Sequence, residues 1–187
     1  MRKVGVLAIQ GDYAAHRAAL ESAGAEVFEV RTIVDLEAVE GLVLPGGEST
    51  TIGGLLVRFG LMGPLVDRIR GGMPTFGTCA GLILLAKRVE GREQPGIRLL
   101  DAAVRRNAYG RQVDSFRATV RSSIPGAESI EAVFIRAPRI LDTGPGVETL
   151  ARLEEEPVLI RQGNILGCCF HPELVDGAAI HRYFLTF

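Results

Sequence analysis

The sequence predicts an α/β fold: a three-layer sandwich around a mostly parallel central sheet, with a small antiparallel strand addition. Three observations lead there. Short, β-branched apolar runs alternate with helix-periodic segments up to about residue 88, the spacing of right-handed βαβ units. Those runs lack polar–apolar alternation, as strands buried on both faces do. Between residues 99 and 162 the texture changes to short strands joined by turns, which suits antiparallel pairing.

Residues 3–9, Lys-Val-Gly-Val-Leu-Ala-Ile, form the first strand. Gln10-Gly11 turns the chain, and Asp12 can cap a helix over 13–23 that stops at Gly24. Residues 26–30 make the second strand, and 35–40 hold at most one helical turn. Leu42, Val43 and Leu44 form a third strand that breaks at Pro45-Gly46-Gly47. After the Glu48-Ser49-Thr50 loop, apolar periodicity marks helices to about Phe59 and over 64–70, ended by Gly71-Gly72. A strand from Pro74 passes through Gly77-Thr78-Cys79-Ala80-Gly81 into a helix that fades near Arg88. Short strands are expected at 99–105, 112–121, 130–136, 149–153 and 158–162. Residues 165–170 are apolar again and rejoin the central sheet, and 178–187 form a closing helix.

One domain over residues 1–187 is expected, because a chain of this length buries about 70% of its unfolded surface and shows no linker or repeat. Lys and Arg number 21 against 22 Asp and Glu, a net charge of −1. No basic run offers nucleic acid a face. The apolar runs are strand-sized, too short for a membrane span, and the first residues lack a signal-peptide layout, so a cytoplasmic protein is expected. The three cysteines, Cys79, Cys168 and Cys169, make a poor disulfide framework, and no spacing suggests a metal site.

Gly77-Thr-Cys-Ala-Gly81 has the form of a nucleophile elbow with Cys79 as nucleophile. Such a strained turn needs small residues two before and two after the nucleophile, which Gly77 and Gly81 supply. A helix starting just after Cys79 points its positive end at the sulfur and favours the thiolate. A base is then required, and the chain holds His16, His171 and His181. His171 follows an apolar strand, at the rim where open α/β sheets place their sites. Glu173, two residues on, lies on the same side if the chain stays extended, and can hold one imidazole nitrogen while the other takes the thiol proton. His16 and His181 fall inside helices and are expected to cover the surface or pack. Cys168 and Cys169 read as small core residues. The Gly46-Gly47 pair lets backbone N–H groups face a ligand, and Gly47 with Ala80 can form an oxyanion hole.

Pro45-Gly-Gly-Glu-Ser-Thr, Gly77-Thr-Cys-Ala-Gly and Phe170-His-Pro-Glu together resemble class I, triad-type glutamine amidotransferases. Leu7-Ala-Ile-Gln-Gly11, the stretch 105–116 (Arg-Arg-Asn-Ala-Tyr-Gly-Arg-Gln-Val-Asp-Ser-Phe) and Val133-Phe-Ile-Arg-Ala-Pro138 resemble the branch serving pyridoxal 5′-phosphate synthases. The resemblance implies a flavodoxin-like fold and hydrolysis of L-glutamine to L-glutamate and ammonia by Cys79, His171 and Glu173, with no cofactor. It places glutamine binding on Gly47, Glu48, Ser49, Arg106, Ile135 and Arg136, and puts Gln10 near the oxyanion hole and a partner interface. Glu48 could hold the substrate ammonium or order the loop, and either Arg106 or Arg136 could take the α-carboxylate. The implied partner is a ribose 5-phosphate-dependent synthase subunit in a hetero-oligomer. The alternatives are the glutaminase of another amidotransferase, or a non-catalytic binding module of the same fold.

Overall fold

The computed structural model describes residues 1–91, 93–106 and 115–187. Of the strand expected over 112–121, residues 112–114 lie outside the described residues, as does most of the 105–116 motif. The first half alternates as expected: β1 Lys3–Leu7, α1 Tyr13–Ser22, β2 Glu26–Val30, α2 Ile33–Glu37, β3 Gly41–Leu44, α3 Ser49–Arg58, α4 Met62–Arg70, β4 Thr75–Thr78 and α5 Ala80–Leu85. There follow β5 Ala86–Glu90, β6 Leu100–Arg105, β7 Ser115–Ser122, β8 Ser129–Ile135, β9 Arg139–Thr143, β10 Glu148–Leu153, β11 Glu156–Gln162 and β12 Ile165–Cys168. A 3-10 turn at Pro172–Leu174 and α6 Ala179–Phe184 close the chain.

The central sheet has nine strands in the order β2-β1-β3-β4-β12-β11-β10-β7-β8. From β2 through β12 the pairing is parallel, and from β12 through β8 it is antiparallel. The antiparallel addition is therefore mostly a continuation of the same sheet. A separate three-stranded sheet, β5-β6-β9, sits beside it.

Side-chain alternation along β4 shows the layering. Phe76 packs against His16 of α1 and against His181 and Phe184 of α6. Gly77, facing the other way, lies under Gly81 and Leu85 of α5. Helices thus cover both faces, and Val4, Val6, Leu42, Val43, Leu44 and Leu166 are fully buried between them.

Two elements differ from expectation. The elbow helix ends at Leu85 rather than near Arg88. Its Leu84 carbonyl accepts from the Ile97 and Arg98 N–H groups, and Arg98 Nη1 donates to the Ala86 carbonyl. With those carbonyls taken, the chain turns extended as β5 and pairs with β6. The short β9, unforeseen, pairs with β6 between Pro138 and Gly144-Pro145.

Candidate active site

The parallel strands bring the chemistry to one edge. β12 pairs with β4 in the register Cys168↔Thr78, and the Cys79 N–H donates to the Cys168 carbonyl at 2.9 Å. The residues after both strands therefore emerge side by side at the carboxyl ends, where open α/β sheets bind ligands. β3 lies on the other side of β4, with Leu44 opposite Gly77, which delivers Gly46 and Gly47 to the same rim. β1 adds Gln10.

Cys79 sits at φ 48°, ψ −100°, a conformation costing roughly 1–3 kcal/mol for a non-glycine residue and characteristic of an elbow nucleophile. The two glycines are there for clearance. A Cβ on Gly77 would stand 2.6 Å from the Gly81 carbonyl carbon, and one on Gly81 would stand 2.1 Å from the Leu44 carbonyl oxygen.

His171 and Cys79 line the same cavity wall, and the His171 Nδ1 lies 2.7 Å from Glu173 Oε1. The expectation of an extended chain here needs correcting: residues 172–174 form a 3-10 turn, with Pro172 at its start. The turn carries the Glu173 carboxylate back under the imidazole, where it is buried. Burial opposes a charge on His171, but the neighbouring Cys79 sulfur and Glu173 carboxylate outweigh it and raise its pKa to about 10. A raised histidine stabilises the fold fully below its unfolded pKa near 6.5 and loses that contribution as pH rises towards 10. The melting midpoint should therefore fall between pH 6.5 and 10 in thermal scans; a His171→Asn variant should flatten that slope, and an unchanged slope would contradict the assignment.

Cys79 and His171 open into a cavity of about 330 Å³, also lined by Gln10, Gly46, Gly47, Glu48, Ser49, Arg106, Ile135 and Arg136. All six positions expected to bind glutamine therefore meet there. Ala80 follows Cys79 as the first residue of α5. Asp12 and Ile83 line the cavity too, though neither was expected to. Ile83 lies one helical turn beyond Cys79, a spacing that could have revealed it. Asp12 holds the N-cap position of α1, but its side chain makes no capping bond.

Glu48 orders its own loop through contacts within the protein. It caps α3, accepting from the Thr51 N–H at 2.9 Å and from the Thr50 and Thr51 hydroxyls, while its other oxygen pairs with Arg106 Nη2 at 2.7 Å. The Thr50 hydroxyl is the largest cause holding its pKa down to about 2. Gln94, unforeseen, accepts from both the Ser49 hydroxyl and Arg106 Nη1 at 3.1 Å. Arg136, at φ 41°, makes no hydrogen bond or ion pair among the described residues. The Gly46–Gly47 loop is pinned to the first strand's exit. Gln10 Oε1 accepts from the Glu48 N–H at 2.9 Å, and the Gly46 carbonyl accepts from the Asp12 N–H at 3.1 Å.

His16 and His181 do not cover the surface; both are wholly buried. Cys168 and Cys169 are buried as well, and burial pushes both thiols up.

The family model described as the SNO glutamine amidotransferase family matches residues 6–187. The chain is 54% identical over 183 residues to the pyridoxal 5′-phosphate synthase subunit PdxT of Pelotomaculum thermopropionicum, covering 98% of this chain and 93% of that one. It is 50% identical over 183 residues to the subunit of the same name from Thermotoga maritima, covering 98% and 97%. A crystal structure of a glutamine amidotransferase superposes with a TM-score of 0.93 at 49% identity, covering 98% of this chain and 97% of that one.

Proposed function

This chain belongs to the SNO glutamine amidotransferase family, and from that premise we propose how its site works. It is a glutaminase of pyridoxal 5′-phosphate (vitamin B6) synthesis, and the geometry supports the following reading of its residues. The observation that carries it is a buried imidazole held by Glu173 at 2.7 Å that shares the cavity wall with Cys79 at its strained elbow.

His171 takes the Cys79 proton, and the thiolate attacks the side-chain amide carbon of glutamine. The oxyanion rests on the Gly47 and Ala80 N–H groups. The C–N bond then breaks as the imidazolium passes its proton to the leaving ammonia, which leaves a γ-glutamyl thioester. Water, deprotonated by His171, attacks the thioester and releases L-glutamate and the thiol. Glu173 orients the imidazole and stabilises its charge. Arg136 takes the α-carboxylate, because its guanidinium is uncommitted whereas Arg106 is already bonded to Glu48 and Gln94. Arg106, Glu48 and Ser49 shape the wall against which glutamine lies.

The ammonia is consumed by a synthase subunit that condenses it with ribose 5-phosphate, in a cytoplasmic hetero-oligomer. Support comes from the relatives' name as a synthase subunit and from Gln10 lying at the rim beside the loop it holds. Glutaminase turnover should rise at least about tenfold when the synthase subunit is added. Equal turnover with and without it would overturn the partner dependence.

A further inference from the structure

Behind the triad lies a buried chain of side chains that the mechanism above does not use. His16, on α1, is wholly buried. Its Nε2 hydrogen-bonds Thr78 Oγ1 at 2.9 Å and lies 3.3 Å from Glu173 Oε2, and its Nδ1 lies 3.0 Å from His181 Nε2. Glu173 spends Oε1 on His171, while Oε2 is buried and has no hydrogen bond among the described residues. Among the described residues, the nitrogen that faces that oxygen at ion-pair distance is His16 Nε2.

Two observations choose the same tautomer for His16. If Nε2 carried a lone pair, that pair would stand 3.3 Å from a carboxylate oxygen; an N–H there is attracted instead. With Nε2 protonated, Nδ1 is the acceptor and His181 Nε2 must donate to it. His181 Nδ1, which has no partner among the described residues, is then a bare acceptor. The opposite arrangement would leave a buried N–H unpaired, the costlier orphan. The ionisable groups around His16 are Glu173, His181 and His171; burial, and then its two histidine neighbours, hold it neutral. Beyond Glu173, Cys168 is kept protonated chiefly by burial.

We propose that His16 is a positioning residue for the triad: its Nε2–H, fixed by His181, bonds Thr78 and turns its positive end towards the free oxygen of Glu173, 3.3 Å away. It thereby ties the acid to the strand that carries the nucleophile and sets the carboxylate against His171. This rests on the triad reading above.

A matched pair of variants tests it, assayed as the full chain with its synthase subunit. In His16→Gln the side-chain amide reaches the Nε2 position and keeps the contacts to Thr78 and Glu173. In His16→Asn it reaches only the Nδ1 position and keeps His181. We expect His16→Asn to lower kcat by about 10- to 100-fold with KM little changed, and His16→Gln to recover most of the loss. Equal losses in the two variants, or a loss carried by KM instead of kcat, would overturn the proposal. Nitrogen-15 imidazole spectra of the unmutated chain provide a measurement independent of variant folding: an Nε2–H tautomer of His16 supports it, and an Nδ1–H tautomer overturns it. A Cys79→Ala control separates the two readings, since turnover surviving there removes the triad itself, whereas a dead control beside a normal His16→Asn removes only the role of His16.

Discussion

Replacing Cys79 by alanine should leave no measurable release of glutamate or ammonia, a loss of roughly 10⁴-fold or more. The loss is this large because nothing else near the cavity can replace the sulfur. Cys168 and Cys169 are wholly buried, and burial keeps both thiols protonated. His171 and Glu173 would remain bonded to each other but would have no proton to take. The fold should survive, because alanine accepts the φ of 48° about as well as cysteine does and only one buried sulfur is removed, about 1 kcal/mol. Thermal melting and a coupled glutamate assay on the same preparation check both halves. Turnover above one part in a hundred in this variant would remove Cys79 from the mechanism.

Gly81→Ala should act on folding instead. The added methyl would stand 2.1 Å from the Leu44 carbonyl oxygen and 2.9 Å from its carbonyl carbon, backbone atoms fixed by the pairing of β3 with β4. Relief requires moving α5 away from the sheet, and with it the turn that holds Cys79. A destabilisation of about 3 kcal/mol or more is expected, equivalent to a melting midpoint lower by roughly 10 °C. Gly54→Ala is the matching control, since a methyl there meets nothing and replaces glycine inside α3, where it should be neutral or slightly stabilising. Equal melting of the two variants would show that the elbow has more room than these distances allow.

Much of the site could be read from the chain because its parts carry local punctuation. Gly77-Thr-Cys-Ala-Gly81 and Phe170-His-Pro-Glu173 are short words in which each small or rigid residue has a backbone reason, and the apolar runs before them place them at strand ends. The parallel half of the sheet was readable for the same cause: buried strands of Val, Leu and Ile alternate with amphipathic helices at regular spacing. What was hidden is whatever depends on a distant partner. β5 and β9 are short and partly exposed, and exist because β6 runs between them. Likewise, nothing in their neighbouring residues shows that β7 and β8 extend the central sheet. His16 looks like any helical histidine until it meets His181, 165 positions away. Glu48 could be placed at the cavity from its motif, but its commitment to α3 and Arg106 follows from where residue 106 arrives after the whole β6 excursion.

The pairing of β12 with β4 has a consequence in time as well as in space. Synthesis runs from the amino end, so the elbow cysteine is added 92 residues before its base, His171. The strand beside β4 is missing during that interval, and the reactive pair cannot assemble. The enzyme is therefore inert while it is being born, and its chemistry switches on only as one of the last strands slots into the sheet.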